Sequence, residues 1–215
     1  MDKKIFAFII AAVIGLTSAT YIQTNPEFSY KVYGSVANYF ENRNDLLTFF
    51  EFKKGETVAE IGTFDGANIA GFSILTDSIT FYAQDIDSNN LTQKKFDKII
   101  KRCTKYKKTL TNKFHLCIGT VKATNLPANT FDKILLISTI HEFTFMDEMM
   151  TDIYRKLKPS GKLYILETRC DSHQNYQTAD EMTTMMKKYN FHLVKKDGKD
   201  INNSLGLYRA VFCKK

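Results

Sequence analysis

A glycine turn and an acidic residue at the end of the following strand could together hold a ligand. "EIGTFDGANI" at residues 60–69 carries Gly62 and Gly66, with Glu60 two residues before the first glycine. Glycines let a backbone approach a ligand closely, and the start of a following helix presents free N–H groups. Asp85 ends the next predicted strand, where a carboxylate can accept hydrogen bonds from both hydroxyls of a ribose. These residue types in this order favour a ligand that contains adenosine.

The spacing of this turn argues against a dinucleotide. Dinucleotide folds use G-x-G-x-x-G, which places a pyrophosphate on a helix N-terminus, whereas this chain has G-x-x-x-G with Phe64 between the glycines. Asp65 would repel phosphate, and the acidic Glu60 suits a ligand with cationic groups. S-adenosylmethionine carries an amino group, a sulfonium and no phosphate, so it fits better than NAD. The alternative is that Glu60 and Asp65 only cap the turn and the helix.

Strand-like and helix-like segments alternate from residue 57 onward and would position these groups. Predicted strands cover residues 57–62, 79–85, 113–119, 132–138, 162–168, 191–196 and 206–213, and predicted helices cover 67–75, 89–108, 142–158 and 179–189. This alternation predicts a doubly wound, Rossmann-like α/β fold with a seven-stranded sheet. The last two strands have no helix between them, so one strand near the C-terminus should be antiparallel in a mostly parallel sheet. This domain is expected at residues 55–215, after a lead-in and helix at residues 20–54.

The N-terminal segment has the pattern of an export signal. Two lysines precede an uncharged apolar run at residues 5–16, and Thr17 and Ala19 are small enough for a signal peptidase site. These 12 apolar residues would rise only about 18 Å as a helix, less than the ~30 Å hydrocarbon core of a bilayer. We therefore expect residues 1–19 to be a signal peptide and the protein to be periplasmic or extracellular. An uncleaved anchor formed by residues 5–16 is the alternative, and no other contact with a membrane is expected.

Charge and cysteine content narrow the classes of partner. The formal net charge is +7, but the basic residues are not gathered in a block, which disfavours nucleic acid. The four cysteines form no C-x-x-C pair, so no metal site is predicted. Export would permit disulfides, but Cys117 and Cys213 lie within apolar runs and are favoured as buried small hydrophobes.

Four segments occur in an order and spacing that is typical of one enzyme family. They read "VAEIGTFDGANI", "YAQDIDSNNL", "NLPANTFDKILLISTIHEF" and "IYRKLKPSGKLYILE". Together they resemble the class I S-adenosylmethionine-dependent methyltransferases over roughly residues 55–170, and "LKPSGKL" at residues 157–163 is especially typical. With its signal-like N-terminus, the chain resembles a subgroup of exported methyltransferases. The resemblance implies S-adenosylmethionine as cofactor and a small molecule, a lipid or a protein side chain as methyl acceptor.

The resemblance also implies roles for residues at the ends of the predicted strands. The residues expected to bind the cofactor are Glu60, Gly62, Phe64, Gly66, Asp85, Ile86, Thr120, Val121 and Ser138. The first four match the motif that holds the methionine moiety, Asp85 matches the ribose-binding acid, and Ile86 matches the apolar residue under the adenine. Thr120 stands where the family usually has an acid that contacts the adenine amino group.

His141 is the candidate catalytic residue. Methyl transfer is an in-line displacement, and a base is needed only when the nucleophile carries a proton. Imidazole titrates near neutrality, so His141, just after the fourth strand, could accept that proton. Alternatively, His141 caps the following helix or packs in the pocket floor.

Two other functions compete with methyl transfer. The departures at Phe64 and Thr120 would suit a non-catalytic binding protein of the cell envelope that keeps the same fold. A nucleotide-linked oxidoreductase is disfavoured by the glycine spacing and by the final strand pair.

Overall fold

Strands and helices alternate along the described residues of the computed structural model, which are 48–104, 109–168, 179–197 and 207–215. The strands are β1 (Thr57–Ile61), β2 (Thr80–Asp85), β3 (Lys113–Ile118), β4 (Phe131–Ile137), β5 (Leu157–Thr168), β6 (Phe191–Asp197) and β7 (Leu207–Lys214). The helices that alternate with them are α1 (Ala67–Leu75), α2 (Gln93–Cys103), α3 (Met146–Lys156) and α4 (Ala179–Lys188).

These elements belong to one compact unit, Phe52–Lys215, which is distinct from a unit at Met1–Glu51. The signal segment predicted at residues 1–19, and most of the lead-in predicted at residues 20–54, lie outside the described residues. Among the residues that are described, no helix is both long enough and apolar enough to cross a membrane.

The seven strands form one mixed sheet in the order β3-β2-β1-β4-β5-β7-β6. β1 pairs in parallel with β2 and β4, and β2–β3 and β4–β5 are also parallel. β7 runs antiparallel to both β5 and β6, because the connection at residues 198–206 is too short for a parallel crossover. The predicted fold class is therefore confirmed. The strand order reverses between β1 and β4, and a crevice forms at the carboxyl ends of parallel strands at such a point.

Apolar residues cover both faces of the central strands. Ile134, Leu135 and Leu136 of β4 are all fully buried, as expected for a strand with helices on both sides. On α3, Met149, Met150 and Ile153 are buried in the core that they share with the methionines of α4. These side chains of α3 therefore belong to the hydrophobic core.

Two helices are shorter than predicted, for identifiable reasons. The helix predicted from Glu142 begins at Met146, because residues Ile140–Glu142 form a separate 3₁₀ turn. It ends at Lys156 because Leu157 already pairs with β4. The helix predicted from residue 89 begins at Gln93, where the Thr92 side chain accepts a hydrogen bond from the Lys95 N–H at 3.2 Å and caps the helix.

A buried carboxylate fixes the segment that follows β3. Asp152 of α3, only 6% exposed, accepts hydrogen bonds from the backbone N–H of Thr124 at 2.8 Å and from its hydroxyl at 2.7 Å. Hydrogen bonds to a charged group are stronger than neutral ones. This contact ties the loop that carries Thr120 and Val121 to a core helix.

The described cysteines are free thiols. Cys103 is buried, whereas Cys117 and Cys213 are partly buried in β3 and β7, so the prediction that these two are buried small hydrophobes holds only in part. Within the described ranges, no cluster of three or more His, Cys, Asp or Glu side chains could hold a metal ion.

Candidate functional site

A pocket of about 310 Å³ opens at the carboxyl ends of β1, β2 and β4. Its lining includes six of the residues predicted to bind the cofactor: Gly62, Phe64, Asp85, Ile86, Val121 and Ser138. The other lining residues were not predicted as binding residues: Ile61, Gln84, Thr139, Glu142, Phe143, Thr144 and Met149. The crevice at the reversal of strand order therefore gathers residues from five separate chain segments.

Four predicted site residues stand behind this lining. Glu60 is buried in β1, and Gly66 is the N-cap of α1. Thr120 lies in the turn after β3, and His141 lies in the 3₁₀ turn after β4. None of the four lines the pocket.

In the turn between β1 and α1, every second residue from Gly62 to Gly66 adopts a left-handed backbone conformation. Gly62, Phe64 and Gly66 have φ angles of 73°, 60° and 84°. A non-glycine residue in this region costs roughly 1–2 kcal/mol, so Phe64 adopts the conformation that a glycine would take at lower cost. A Cβ at Gly62 would overlap the Thr139 side chain, and one at Gly66 would lie 2.7 Å from the Phe96 ring. The two glycines are therefore needed for space as well as for their φ angles.

The ring of Phe64 does not close the pocket. The side chain is exposed for 59% of its surface and forms part of the wall. The backbone N–H of Phe64 points to β2 and donates a hydrogen bond to Oδ2 of Asp85 at 2.7 Å. The turn thus keeps its course past the pocket with phenylalanine in place of a third glycine.

Asp85 joins the two turns that border the pocket. Its Oδ2 accepts the bond from Phe64 of the first turn, and its Oδ1 accepts a 2.9 Å bond from the N–H of Asp87 in the second. An ionised carboxylate offers about four lone-pair positions, so two remain for hydroxyl donors from a ligand. Because Asp85 lines the pocket, this pair of acceptors is available to a ribose.

Glu60 supports the first turn from below. It is 1% exposed, and its two carboxylate oxygens accept hydrogen bonds from the Thr63 hydroxyl at 2.6 Å and from the Asn68 amide at 2.7 Å. Burial raises the pKa of Glu60 from 4.5 to about 7, against the opposing effect of these two hydrogen bonds. Glu60 therefore holds the turn in shape and does not touch the pocket itself.

His141 lies between two carboxylates. Its Nδ1 is 3.0 Å from Oε2 of Glu167, and its Nε2 is 3.2 Å from Oε1 of Glu142. Burial favours the neutral ring and is the largest single influence, but the hydrogen bonds and charges of Glu167 and Glu142 together raise the pKa of His141. The side chain of Glu142 is 65% exposed and lines the pocket, whereas that of His141 is 9% exposed and lies behind it.

Thr120 is engaged in its own turn. Its hydroxyl oxygen accepts hydrogen bonds from the N–H of Ala123 at 3.1 Å and from that of Lys122 at 3.3 Å. The ammonium of Lys122 lies 4.3 Å from the centre of the Phe145 ring and 3.3 Å from Glu148. Val121, between Thr120 and Lys122, is the residue of this turn that lines the pocket.

Gln84 and Glu167 are two of the site residues that sequence reasoning missed. Each is the penultimate residue of a strand, β2 and β5 respectively, and each is 1% exposed. A polar residue near the carboxyl end of a parallel strand faces the crevice edge of such a sheet, and this signal could have found both. Pairing of Glu167 with His141 required the adjacency of β4 and β5, which is a tertiary property.

The chain is similar in sequence to known methyltransferases. Residues 60–165 match a family model described as "Methyltransferase domain". The ubiquinone/menaquinone biosynthesis C-methyltransferase UbiE of Pseudoalteromonas translucida (strain TAC 125) is 25% identical over 192 residues, which cover 83% of this chain and 71% of that protein. UbiE of Blochmanniella floridana is 28% identical over 92 residues, and this alignment covers 43% of the chain and 34% of the relative.

Solved structures share the fold at lower sequence identity. A SAM-dependent methyltransferase from Aquifex aeolicus aligns with a TM-score of 0.61 and 18% identity, over 79% of this chain and 87% of that one. Phosphoethanolamine N-methyltransferase 2 of Haemonchus contortus, in complex with S-adenosyl-L-methionine, aligns with a TM-score of 0.61 and 14% identity. This alignment covers 92% of this chain and 60% of that one. The [4+2]-cyclase SpnF aligns with a TM-score of 0.59 and 13% identity, over 80% of this chain and 78% of that one.

The family match and the curated relatives support a methyltransferase enzyme with S-adenosylmethionine as its cofactor, as the sequence predicted. The solved structures support the fold. The residues that line the pocket fit that cofactor. Asp85 offers acceptors to a ribose, and the acidic pocket wall suits a cationic sulfonium.

Replacing Glu60 with glutamine should change the pH dependence of stability. The folded-state pKa of about 7 lies above the unfolded value near 4.5, so the folded wild type binds more protons between these values. Its free energy of unfolding should therefore fall as pH rises through this range, whereas Glu60→Gln does not titrate. We expect the stability of the variant relative to wild type to increase by about 3 kcal/mol between pH 4.5 and 8. Urea unfolding at several pH values measures this, and a constant difference would contradict it.

Proposed function

We propose that the protein binds S-adenosylmethionine in this pocket and transfers its methyl group to a small-molecule acceptor. The carboxylate of Asp85 carries the proposal, because it joins both turns and still offers two lone-pair positions to a ribose. The exposed apolar side chains of Ile86 and Val121, which line the same pocket, suit the faces of an adenine ring. The acidic groups around the turn favour a cationic ligand over a phosphate.

The class of acceptor is proposed from the relatives and the pocket wall. The curated relatives are named as C-methyltransferases of ubiquinone and menaquinone biosynthesis, which favours a small molecule over a protein side chain. Ser138, Thr139 and Thr144 supply hydroxyls beside the end of β4, and Phe143 supplies an apolar surface there. An acceptor with an apolar body and a few polar groups suits this wall.

Residues near β4 would handle a proton from the acceptor. We propose that Glu142 is the group that faces the acceptor and that His141, held by Glu167, positions Glu142 and stabilises its charge. A histidine with a carboxylate at each ring nitrogen is stabilised in its protonated form, and a protonated imidazole cannot accept a further proton. His141 would then act through Glu142, which is the member of this group on the pocket wall.

The titration of His141 tests this arrangement. Since the carboxylates of Glu167 and Glu142 raise its pKa, NMR should find a titration midpoint above the ordinary value of 6.5. Glu167→Gln should lower that midpoint, because it removes a charge 3.0 Å from Nδ1. Glu142→Gln should lower it less, since the exposed Glu142 is screened by solvent. A wild-type midpoint at or below 6.5 would contradict the proposal and return the role of base to His141.

Binding of the cofactor product is the direct test of the function. Calorimetry of the intact chain with S-adenosylhomocysteine should show saturable binding. Asp85→Asn should weaken it at least about tenfold, because a neutral amide replaces the carboxylate that accepts from ribose and from Phe64. Asp97→Asn, the same change on the exposed surface of α2, is the matched control and should bind like wild type. No binding by wild type at millimolar ligand would exclude the enzyme and leave a binding protein of the same fold.

We also propose that the protein is exported. The proposal rests on the basic start, the apolar run at residues 5–16 and the small residues Thr17 and Ala19. When the full chain is expressed in a bacterial host, N-terminal sequencing of the periplasmic fraction should find a form that begins at Thr20. Ile10→Arg, which interrupts the apolar run, should keep the chain in the cytoplasm. Full-length protein confined to the cytoplasm of cells that express wild type would contradict export.

A further inference from the structure

Phe64 stands at a position that is unfavourable for its backbone and for its side chain. Its φ of 60° lies in the left-handed region that favours glycine, and its side chain is exposed for 59% of its surface. Within the described residues, its ring forms no pair with another aromatic ring and no contact with a cationic side chain. Neither backbone preference nor packing therefore accounts for a phenylalanine here. A ligand that covers the ring would account for it, since strained residues collect at ligand-binding sites.

The strand order indicates which part of a ligand passes this ring. The sheet runs β3-β2-β1-β4, and the pocket is lined by Val121 after β3, Asp85 at the end of β2, Phe64 after β1 and Ser138 after β4. In the proposed function the base lies on the β3 side, the ribose at Asp85 and the methyl acceptor on the β4 side. The turn after β1 therefore borders the part of the cofactor between the ribose and the acceptor, which is the part that carries the methyl group.

The backbone of Phe64 is held beside the proposed ribose position. Its N–H donates a hydrogen bond to Oδ2 of Asp85 at 2.7 Å, so the ring projects from a residue in direct contact with the ribose-binding carboxylate. The sulfur of S-adenosylmethionine is joined to the ribose through a single carbon, so it stays close to the groups beside Asp85. Because Phe64 lines the pocket, its ring belongs to the wall that this sulfur would meet.

An aromatic ring beside a sulfonium discriminates by charge. The face of the ring carries partial negative charge and attracts a cation within about 6 Å of its centre. The charged side chains among the described residues of the lining, Asp85 and Glu142, are both acidic, so they add to this attraction. An aliphatic side chain of similar size would cover the same apolar area without attracting a cation.

We propose that the ring of Phe64 contacts the sulfonium of S-adenosylmethionine and makes the pocket favour this cation over the neutral thioether of S-adenosylhomocysteine, in an inference that rests on the proposed function. The contact depends on the positive charge, which the sulfur loses when the methyl group leaves. Phe64 is then a specificity residue that distinguishes the cofactor from its product. A glycine at this position would take the same backbone conformation at lower cost but could not make the contact.

Calorimetry with three ligands, in the absence of an acceptor, tests the proposal. S-adenosylmethionine is a cation at the sulfur, sinefungin carries an ammonium group at the same position, and S-adenosylhomocysteine is neutral there. Phe64→Leu keeps an apolar side chain without a ring, so it should weaken both cationic ligands about fivefold and change the affinity for S-adenosylhomocysteine by less than about twofold. Phe64→Tyr keeps the ring and should keep the wild-type ratios of the three affinities.

Controls separate this inference from folding and from the proposed function. Phe145→Leu makes the same change at a ring that already lies under the Lys122 ammonium and is not part of the pocket lining, so all three affinities should stay as in wild type. The thermal midpoint of unliganded Phe64→Leu should match that of wild type, since the ring is largely exposed. If wild type binds and Phe64→Leu weakens all three ligands equally, or none of them, the role of Phe64 is overturned. If wild type binds none of the three, the proposed function is overturned together with this inference.

Discussion

The carboxylate of Asp85 is the contact on which the site depends. It accepts hydrogen bonds from the N–H of Phe64 in the turn after β1 and from the N–H of Asp87 in the turn after β2. The two turns that border the pocket are therefore held by the same side chain. The bond to Phe64 stabilises a residue whose positive φ is unfavourable on its own. The same carboxylate keeps two lone-pair positions free, so one group shapes the pocket and offers a ligand its acceptors.

The charge of the side chains that line the pocket is opposite in sign to the net charge of the whole chain. The chain carries a net charge of +7, yet the charged side chains that line the pocket, Asp85 and Glu142, are both acidic. Lys122, the basic residue next to Val121, places its ammonium over the Phe145 ring and beside Glu148. A cationic ligand would therefore meet negative charge in the pocket, although the protein is basic.

The fold alone does not decide the chemistry. Structures that align with this chain include methyltransferases and the [4+2]-cyclase SpnF. The strand order, the crevice and the first glycine turn are properties of the architecture, whereas activity resides in the side chains placed there. In this chain His141, Glu142 and Glu167 form such a group at the ends of β4 and β5.

The sequence by itself determined the sheet, its one antiparallel strand and the strand ends that meet at the pocket, because apolar runs and loop lengths are local properties. Asp85 could be found as the acid at a strand end for the same reason. Only the tertiary structure decided that Phe64 takes a left-handed conformation and leaves the pocket open. It also decided that Glu60 lies beneath the turn and that His141 lies between two carboxylates. These outcomes depend on which strands are neighbours and on which charged groups become buried. Neither can be read from any single segment of the chain.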